Sequence, residues 1–314
     1  MLRCPLPLTW SGLLVCCLAA TPGAQQPAAR PPQSDQTVPV TRGTRLAVQN
    51  EAGEVVVRGW DKDAVRVQGR HSSRTKVNVR TTPAGLVITS SGNGPSSSVD
   101  YEINVPAWMP IKVAGTFAYI NVEGTQNEVS AETVRGDILI KGGTGFVSAK
   151  SVQGEVAVDG ARGKINVSSV NEGIKITASG GDVVAETTNG SISMTNMTAQ
   201  SVDASSVNGD IVYDGAAADG GQYNFVTHNG NITIGLPENA NVTFSVRTYN
   251  GGFRSSLPTK GGTDDPHRGK RATYVLGNGS AQMELESFGG MVRLRPSGQA
   301  GTPRSRGRER VAIR

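Results

Sequence analysis

The chain has 314 residues, with 40 glycines, only six Phe, three Trp and six Met, and a hydrophobic share of 37%. Glycine is nearly double its usual ~7%, and large apolar residues are few. This excludes a thick helical or doubly wound core, and the lack of a three-residue glycine period excludes a collagen-like chain. The formal net charge of +5 is carried by Arg3 and by a tail, Pro303 to Arg314, with five arginines against Glu309. The body is therefore neutral, and charge gives no ground for a nucleic-acid partner.

Residues 1–24 have the layout of a secretory signal peptide: Arg3, an apolar run from Leu13 to Ala20, then small residues to Ala24. A transmembrane anchor is the competing reading, but the run falls short of the ~20 apolar residues of a span and is interrupted by Thr9, Ser11 and Gly12. Cys17 after Leu14-Val15-Cys16 keeps a lipid-modified N-terminus open as a third reading. All three cysteines, Cys4, Cys16 and Cys17, lie in this segment. A mature chain starting near Gln25 thus has no thiol, disulfide or cysteine-metal site. It also has no transmembrane span, and its expected place is exported: periplasmic, cell-surface or secreted. Residues 25–43, rich in Pro, Gln and Ala at first, read as a flexible lead-in.

Residues 44–117 hold alternating runs at Gly53 to Arg58, Ala64 to Val67, Lys76 to Val79, Leu86 to Thr89 and Tyr101 to Pro106. They predict an antiparallel or irregular first sheet that covers the repeats beginning at residue 118.

From Ala118 the pattern changes. Apolar pairs recur every nine residues: Ile120/Val122, Val129/Ala131, Ile138/Ile140, Val147/Ala149, Val156/Val158, Ile165/Val167, Ile174/Ile176, Val183/Ala185, Ile192/Met194, Val202/Ala204 and Ile211/Tyr213. Only the step to Val202 gains a residue. Every second unit ends in a tetrapeptide of Ser or Thr, usually Val, a polar residue, then Gly, as in Ser151-Val152-Gln153-Gly154 and Ser206-Val207-Asn208-Gly209. The true repeat is therefore two short strands and two corners, with glycine expected at corners for its access to positive φ.

Such a unit cannot bury its apolar row alone, so the prediction is an all-β, single-stranded parallel β-solenoid of coils of about 18–21 residues over 118–295, with an N-terminal strand-rich cap over 44–117. An antiparallel barrel or sandwich is the alternative, although it gives no reason for two alternating kinds of corner. Leu257 to Arg271 reads as a loop. Ala281 to Leu285 and Gly290 to Leu294 are expected as last strands closing the far end, and 296–314 as a disordered basic tail.

Gly59-Trp60-Asp61 after a Val run, Ile103-Asn104-Val105-Pro106 followed by Ile111-Lys112-Val113, and Asn208-Gly209-Asp210-Ile211 resemble the bacterial putative-adhesin domain family, from about Thr44 to Leu294. The resemblance implies an exported β-solenoid with no established reaction and no catalytic residues to carry over.

Few residues on the rod are candidates for chemistry. Gly142-Gly143-Thr144-Gly145 opens like a calcium-roll repeat but leads to Phe146-Val147 without the acid. Asp137 and Glu155 fall one coil apart on outward positions, with Asp210 in the same row, the arrangement a carbohydrate-active β-helix would need. Solvated side chains are the simpler reading. His71, His228 and His267 have no ligand-like spacing, and His228 sits in a corner tetrapeptide. Thr133, Ser151, Ser169, Thr187, Ser206, Thr227 and Thr248 should stack as a polar ladder, either bonding along the corners or presenting a hydroxyl and amide face. The expectation is a non-catalytic adhesin-like or structural binding protein of the cell envelope, with no catalytic, metal or cofactor-binding residue. Its partner would be an envelope polysaccharide, a surface polymer or another protein. The alternative is a β-helix enzyme using the outward carboxylates.

Overall fold

A computed structural model describes residues 33–92, 98–262, 269 and 271–298. The signal segment, residues 25–32 of the lead-in, His267 and residues 299–314 of the basic tail lie outside the described residues; Pro296 to Gly298, expected in that tail, instead end the last strand and bond Leu236 and Asp214.

The strands form two faces joined by corners. In spatial order face A runs β4 (Lys76–Thr82), β5 (Gly85–Ser91), the first half of β2 (Leu46–Trp60), the first half of β7 (Ile111–Thr125) and β8 (Val129–Arg135). It continues through β10 (Thr144–Gln153), β12 (Arg162–Ser169), β14 (Gly180–Thr187), β16 (Ser201–Ser206), β18 (Gln222–Thr227), β24 (Ala281–Ser287) and β20 (Val242–Thr248). The antiparallel strands β23 (Arg271–Leu276) and β22 (Lys260–Gly261) finish it.

Face B runs β1 (Ser34–Pro39), β3 (Ala64–His71), β6 (Val99–Pro106) and the second halves of β2 and β7. It continues through β9 (Ile138–Gly142), β11 (Val156–Asp159), β13 (Ile174–Thr177), β15 (Ile192–Met197), β17 (Ile211–Gly215), β19 (Ile232–Leu236), β25 (Val292–Pro296) and β21 (Phe253–Ser255). Among the described residues this makes eleven parallel rungs, a stack of about 50 Å at ~4.8 Å per rung. The fold is the all-β parallel solenoid that the nine-residue alternation predicts.

Every one of the predicted pairs from Ile120/Val122 to Ile211/Tyr213 is buried. The register stacks each inward residue on its counterpart, so Val147 lies between Val129 and Ile165. Where face B supplies the bulky Met194 or Tyr213, face A supplies Ala185 or Ala204 in the same rung, which keeps the narrow interior filled. The extra residue before Val202 is absorbed at Asn196, where the register shifts and φ is +55°.

Three expectations need correcting. The lead-in does not run unstructured to residue 43. Ser34–Pro39 pairs antiparallel with β3, held by the Asp35–Arg66 ion pair at 2.6 Å and by the half-buried Val38. The first sheet is also not antiparallel throughout: β5, β2, β6 and β7 pair in parallel, because β2 and β7 each bend around both faces and act as full rungs. Antiparallel pairing is confined there to β1, β3 and β4, which cover the exposed rung edges.

The third correction concerns order. The last strands do not close the end. β24 and β25 slot between the rung of β18 and β19 and the rung of β20 and β21, which precede them in sequence. The first rung mirrors this, since β2 lies between the later rungs of β5/β6 and β7. The slotted C-terminal rung is pinned by Arg295, which reaches Asp214 two rungs away at 3.2 Å. Gly235 stands between them and leaves the room, since an added Cβ would meet Asp214 Oδ2 at 2.7 Å.

At this end the core turns aromatic. The Tyr213 ring lies 5.4 Å from Phe225 and 5.9 Å from Tyr223. Burial raises the phenols of Tyr213 and Tyr223, and pushes that of Tyr101 up to about 12. Unfolded tyrosine ionises near ~10, so from that pH the unfolded chain releases protons that the fold retains, and stability falls as pH rises towards 12. Below pH ~10 these phenols cost nothing. In an alkaline titration followed by ultraviolet absorbance and circular dichroism, these three tyrosines are expected to ionise only as the β signal is lost.

Candidate functional site

The corner leading from face A to face B carries the repeated tetrapeptide, and stacking turns each of its positions into a column. The first column is Thr133, Ser151, Ser169, Thr187, Ser206, Thr227, then Ser287 and Thr248 in spatial order, all buried. The hydroxyls of Ser151, Ser169, Thr187, Ser206, Thr227 and Ser287 each donate to the carbonyl at the end of the preceding corner, Gly136, Gly154, Glu172, Gly190, Gly209 and Gly230, at 2.8–3.2 Å. The ladder is therefore structural, and it offers no hydroxyl to a ligand. Thr187→Val keeps the shape but leaves the Glu172 carbonyl without its donor. A loss of about 1–3 kcal/mol is expected in denaturant unfolding.

The fourth column is glycine for a reason different from the one anticipated. Gly154, Gly190, Gly209, Gly230, Gly290 and Gly251 do not need positive φ; an added Cβ at each would fall inside the carbonyl oxygen of the neighbouring rung. Glu172, exposed, is the exception in this column. Gly136, in the same column, combines both demands, with φ +139° and an added Cβ that would fall inside the Ala118 carbonyl oxygen; the opposite corner has positive φ at Gly142, Gly143, Gly160, Gly163 and Gly181, and at Ala178 with φ +48°.

Just past the glycines come the outward acids. Asp137 Oδ1 accepts the Glu155 N–H at 2.8 Å, and Asp210 Oδ1 accepts the Asn231 N–H at 2.7 Å. Ser191 and Asn231 do the same for Asp210 and Met291. The predicted row is thus real, and Asp137 and Asp210 serve in it as acceptors for the backbone of the next rung. His71 is remote from it, bonded to the Ser34 hydroxyl at 2.7 Å and the Ser72 carbonyl at 2.8 Å.

What faces out is the middle of the tetrapeptide. The second column is Val134, Val152, Val170, Thr188, Val207, His228, Phe288 and Tyr249, with Val134, Val152, Val170, Val207 and Phe288 exposed by 39–49%. Most of the exposed large apolar side chains of the described residues lie on this corner, an arrangement that marks an interaction surface more than chance does. The His228 and Phe288 rings stack at 4.6 Å and 6°, and Tyr249 lies 5.0 Å from Phe288.

The third column is polar as far as Asn229: Arg135, Gln153, Asn171, Asn189, Asn208 and Asn229, then, in spatial order, Gly289, which interrupts it at the Phe288 rung, and Asn250. Arg135 donates to Gln153 at 2.8 Å, and the amides of Asn189, Asn208 and Asn229 each donate to the preceding Asn at 2.9–3.2 Å. Both columns were visible in the sequence as repeated residue types. Only the corner geometry shows that they, not the hydroxyls, are presented. Near the first rungs the same corner opens into a pocket of about 280 Å³ lined by Gln49, Asn50, Glu51, Thr89, Ser90 and Thr116 among others.

No curated protein matches the chain. A solved structure from Clostridium sporogenes, named as a putative cell adhesion protein, is similar at 11% identity and a TM-score of 0.23, covering 83% of this chain and 98% of that one. The Toastrack DUF4097 family, whose function is unknown, matches residues 43–295, almost the whole of the region that stacks into rungs. The chain belongs to the Toastrack DUF4097 family.

Proposed function

We propose that this protein is an exported, non-catalytic binding or structural module of the cell envelope, working through the ridge on its tetrapeptide corner. The carrying observation is the column in which Val134, Val152, Val170, Val207 and Phe288 are exposed, interrupted by Thr188 and His228 and flanked by the amides of Asn171, Asn189, Asn208 and Asn229. Export is supported by the layout of residues 1–24 and by the confinement of Cys4, Cys16 and Cys17 to that segment. Among the described residues no helix is long and apolar enough to cross a membrane.

Asp137, one of the two acids best placed for sugar chemistry, uses one carboxylate oxygen as acceptor of the Glu155 N–H, which supports a structural use of that side chain. A depolymerisation screen over plant, fungal and bacterial glycans is expected to be silent for the purified protein. Turnover that disappears in Asp137→Asn or Glu155→Gln would replace this reading with the enzyme. Fractionation of producing cells and binding of labelled protein to whole cells test the envelope role directly. Retention in the cytoplasm with no cell binding would overturn it.

A further inference from the structure

The geometry points to an uncharged, extended polysaccharide lying along the ridge between Val170 and Tyr249, one sugar ring to a rung. This rests on the envelope-binding reading and supplies its ligand class.

Four observations carry it. The first is the amide ladder Asn171, Asn189, Asn208 and Asn229. Each link of the ladder uses one of an amide's two hydrogens and one of its oxygen's two lone pairs. Over the four rungs from Asn171 to Asn229, whose side chains are exposed, about one donor and one acceptor per rung are left over, repeated every ~4.8 Å.

The second is the partly apolar row beside it. Val170 and Val207 are exposed, and His228, Phe288 and Tyr249 continue the row on three consecutive rungs, stacked on one another with centroids 4.6 and 5.0 Å apart so that Phe288 offers its edge to solvent. A sugar ring is itself two-sided, with an apolar C–H face and a hydroxyl edge. It can lay the face on the apolar column and turn the edge to the amides.

The third is charge. From Val170 to Tyr249 the two outward columns contain no carboxylate, lysine or arginine, so nothing on the strip complements a polyanion.

The fourth is shape and period. The ridge is a convex line two residues wide, whereas a stable folded partner, including a second copy of this chain, needs ~800 Å² per side. An extended peptide is linear too, but its same-face side chains recur every ~6.8 Å, out of step with ~4.8 Å rungs. In an extended β-1,4-linked glycan each ring advances the chain by about one rung, and because successive rings are turned over, alternate rungs would meet opposite edges of the ring, both of which carry hydroxyls.

The test is sedimentation of the purified protein with cellulose and with chitin, two uncharged β-linked polymers, and with anionic polygalacturonate cross-linked into beads. Binding to at least one neutral polymer is expected, little changed between low and physiological salt. Tyr249→Ala with Phe288→Ala is expected to lower it at least tenfold. So is Asn189→Asp with Asn208→Asp, which keeps the shape of the ladder but removes donors and sets like charges side by side. Lys175→Ser on face B should leave it unchanged, and circular dichroism melts should confirm that all variants fold. A third pair, Asn189→Ser with Asn208→Ser, replaces the aspartates should these unfold the corner.

Absence of binding to both neutral polymers, equal binding by the ridge variants, or salt-sensitive preference for polygalacturonate would each overturn the inference. Whole-cell binding separates the two levels. If cells bind wild type and ridge variants alike, the envelope role stands and the glycan ridge falls. If cellulose or chitin binds while cells do not, the reverse holds.

Discussion

Ending the chain after Leu276 is expected to lower the thermal midpoint by more than about 10 °C, while ending it after Gly298 should change it by no more than ~2 °C. The first truncation removes β24 and β25, which bring Ala281, Met283, Leu285, Val292 and Leu294 into the core. At ~1.5–3 kcal/mol for each larger side chain, that is on the order of 8 kcal/mol of burial. It also strips pairing from both sides at once, since β24 bonds β18 along six residues and β20 along seven. The second truncation keeps the Ser297 N–H on the Leu236 carbonyl and the Gly298 N–H on Asp214.

A drop of only a few degrees in the first case would mean that β20 and β21 had closed onto β18 and β19. The spacing of Thr227 and Thr248 would permit that register. Calorimetry of the two truncations decides between these outcomes. Leu285→Ala is the point-mutant counterpart, with an expected loss of about 2–5 kcal/mol.

Gly209→Ala is expected to cost about 3 kcal/mol or more, seen as a fall of roughly 6 °C or more in the midpoint. The new methyl would point into the Gly190 carbonyl oxygen of the neighbouring rung. That oxygen already accepts the Ser206 hydroxyl, so moving it breaks a buried bond as well. Rungs are spaced by backbone hydrogen bonds at ~4.8 Å and cannot open locally to admit a carbon. Gly173→Ala is the comparator. Its Cβ would meet the Ser191 carbonyl at 3.1 Å, a contact relieved by a shift of a few tenths of an ångström. A loss below ~1 kcal/mol is expected there. Equal effects at the two positions would show that backbone freedom, not rung contact, explains the glycine column.

The inward faces were legible because side chains alternate with period two and the solvent side of a thin coil is polar. Val147 and Ala149, or Ile174 and Ile176, announce their burial by spacing alone. The hydroxyl column was legible as well, through the recurrence of Ser or Thr. Its direction was not: Thr227 is 1% exposed and bonded inward, while Val207 beside the ladder is 45% exposed. A corner reverses which residue types meet water, and no periodicity in a four-residue turn reports that. Likewise the Pro- and Gln-rich start of the chain concealed β1, whose strand exists because the edge of β3 needs a partner.

The amino-acid order by itself determined the solenoid, its two-sided rungs, the core pairs of its repeats and the presence of one extra residue in the step to Val202. Each of these follows from local alternation and from a repeat that must stack to bury its apolar row. Which rung lies beside which, above all the return of 281–296 to a place inside the stack, was decided only by the tertiary structure. Parallel rungs of equal register can pair with many neighbours, and the choice among them depends on contacts such as Asp214 with Arg295, made between residues far apart in the chain.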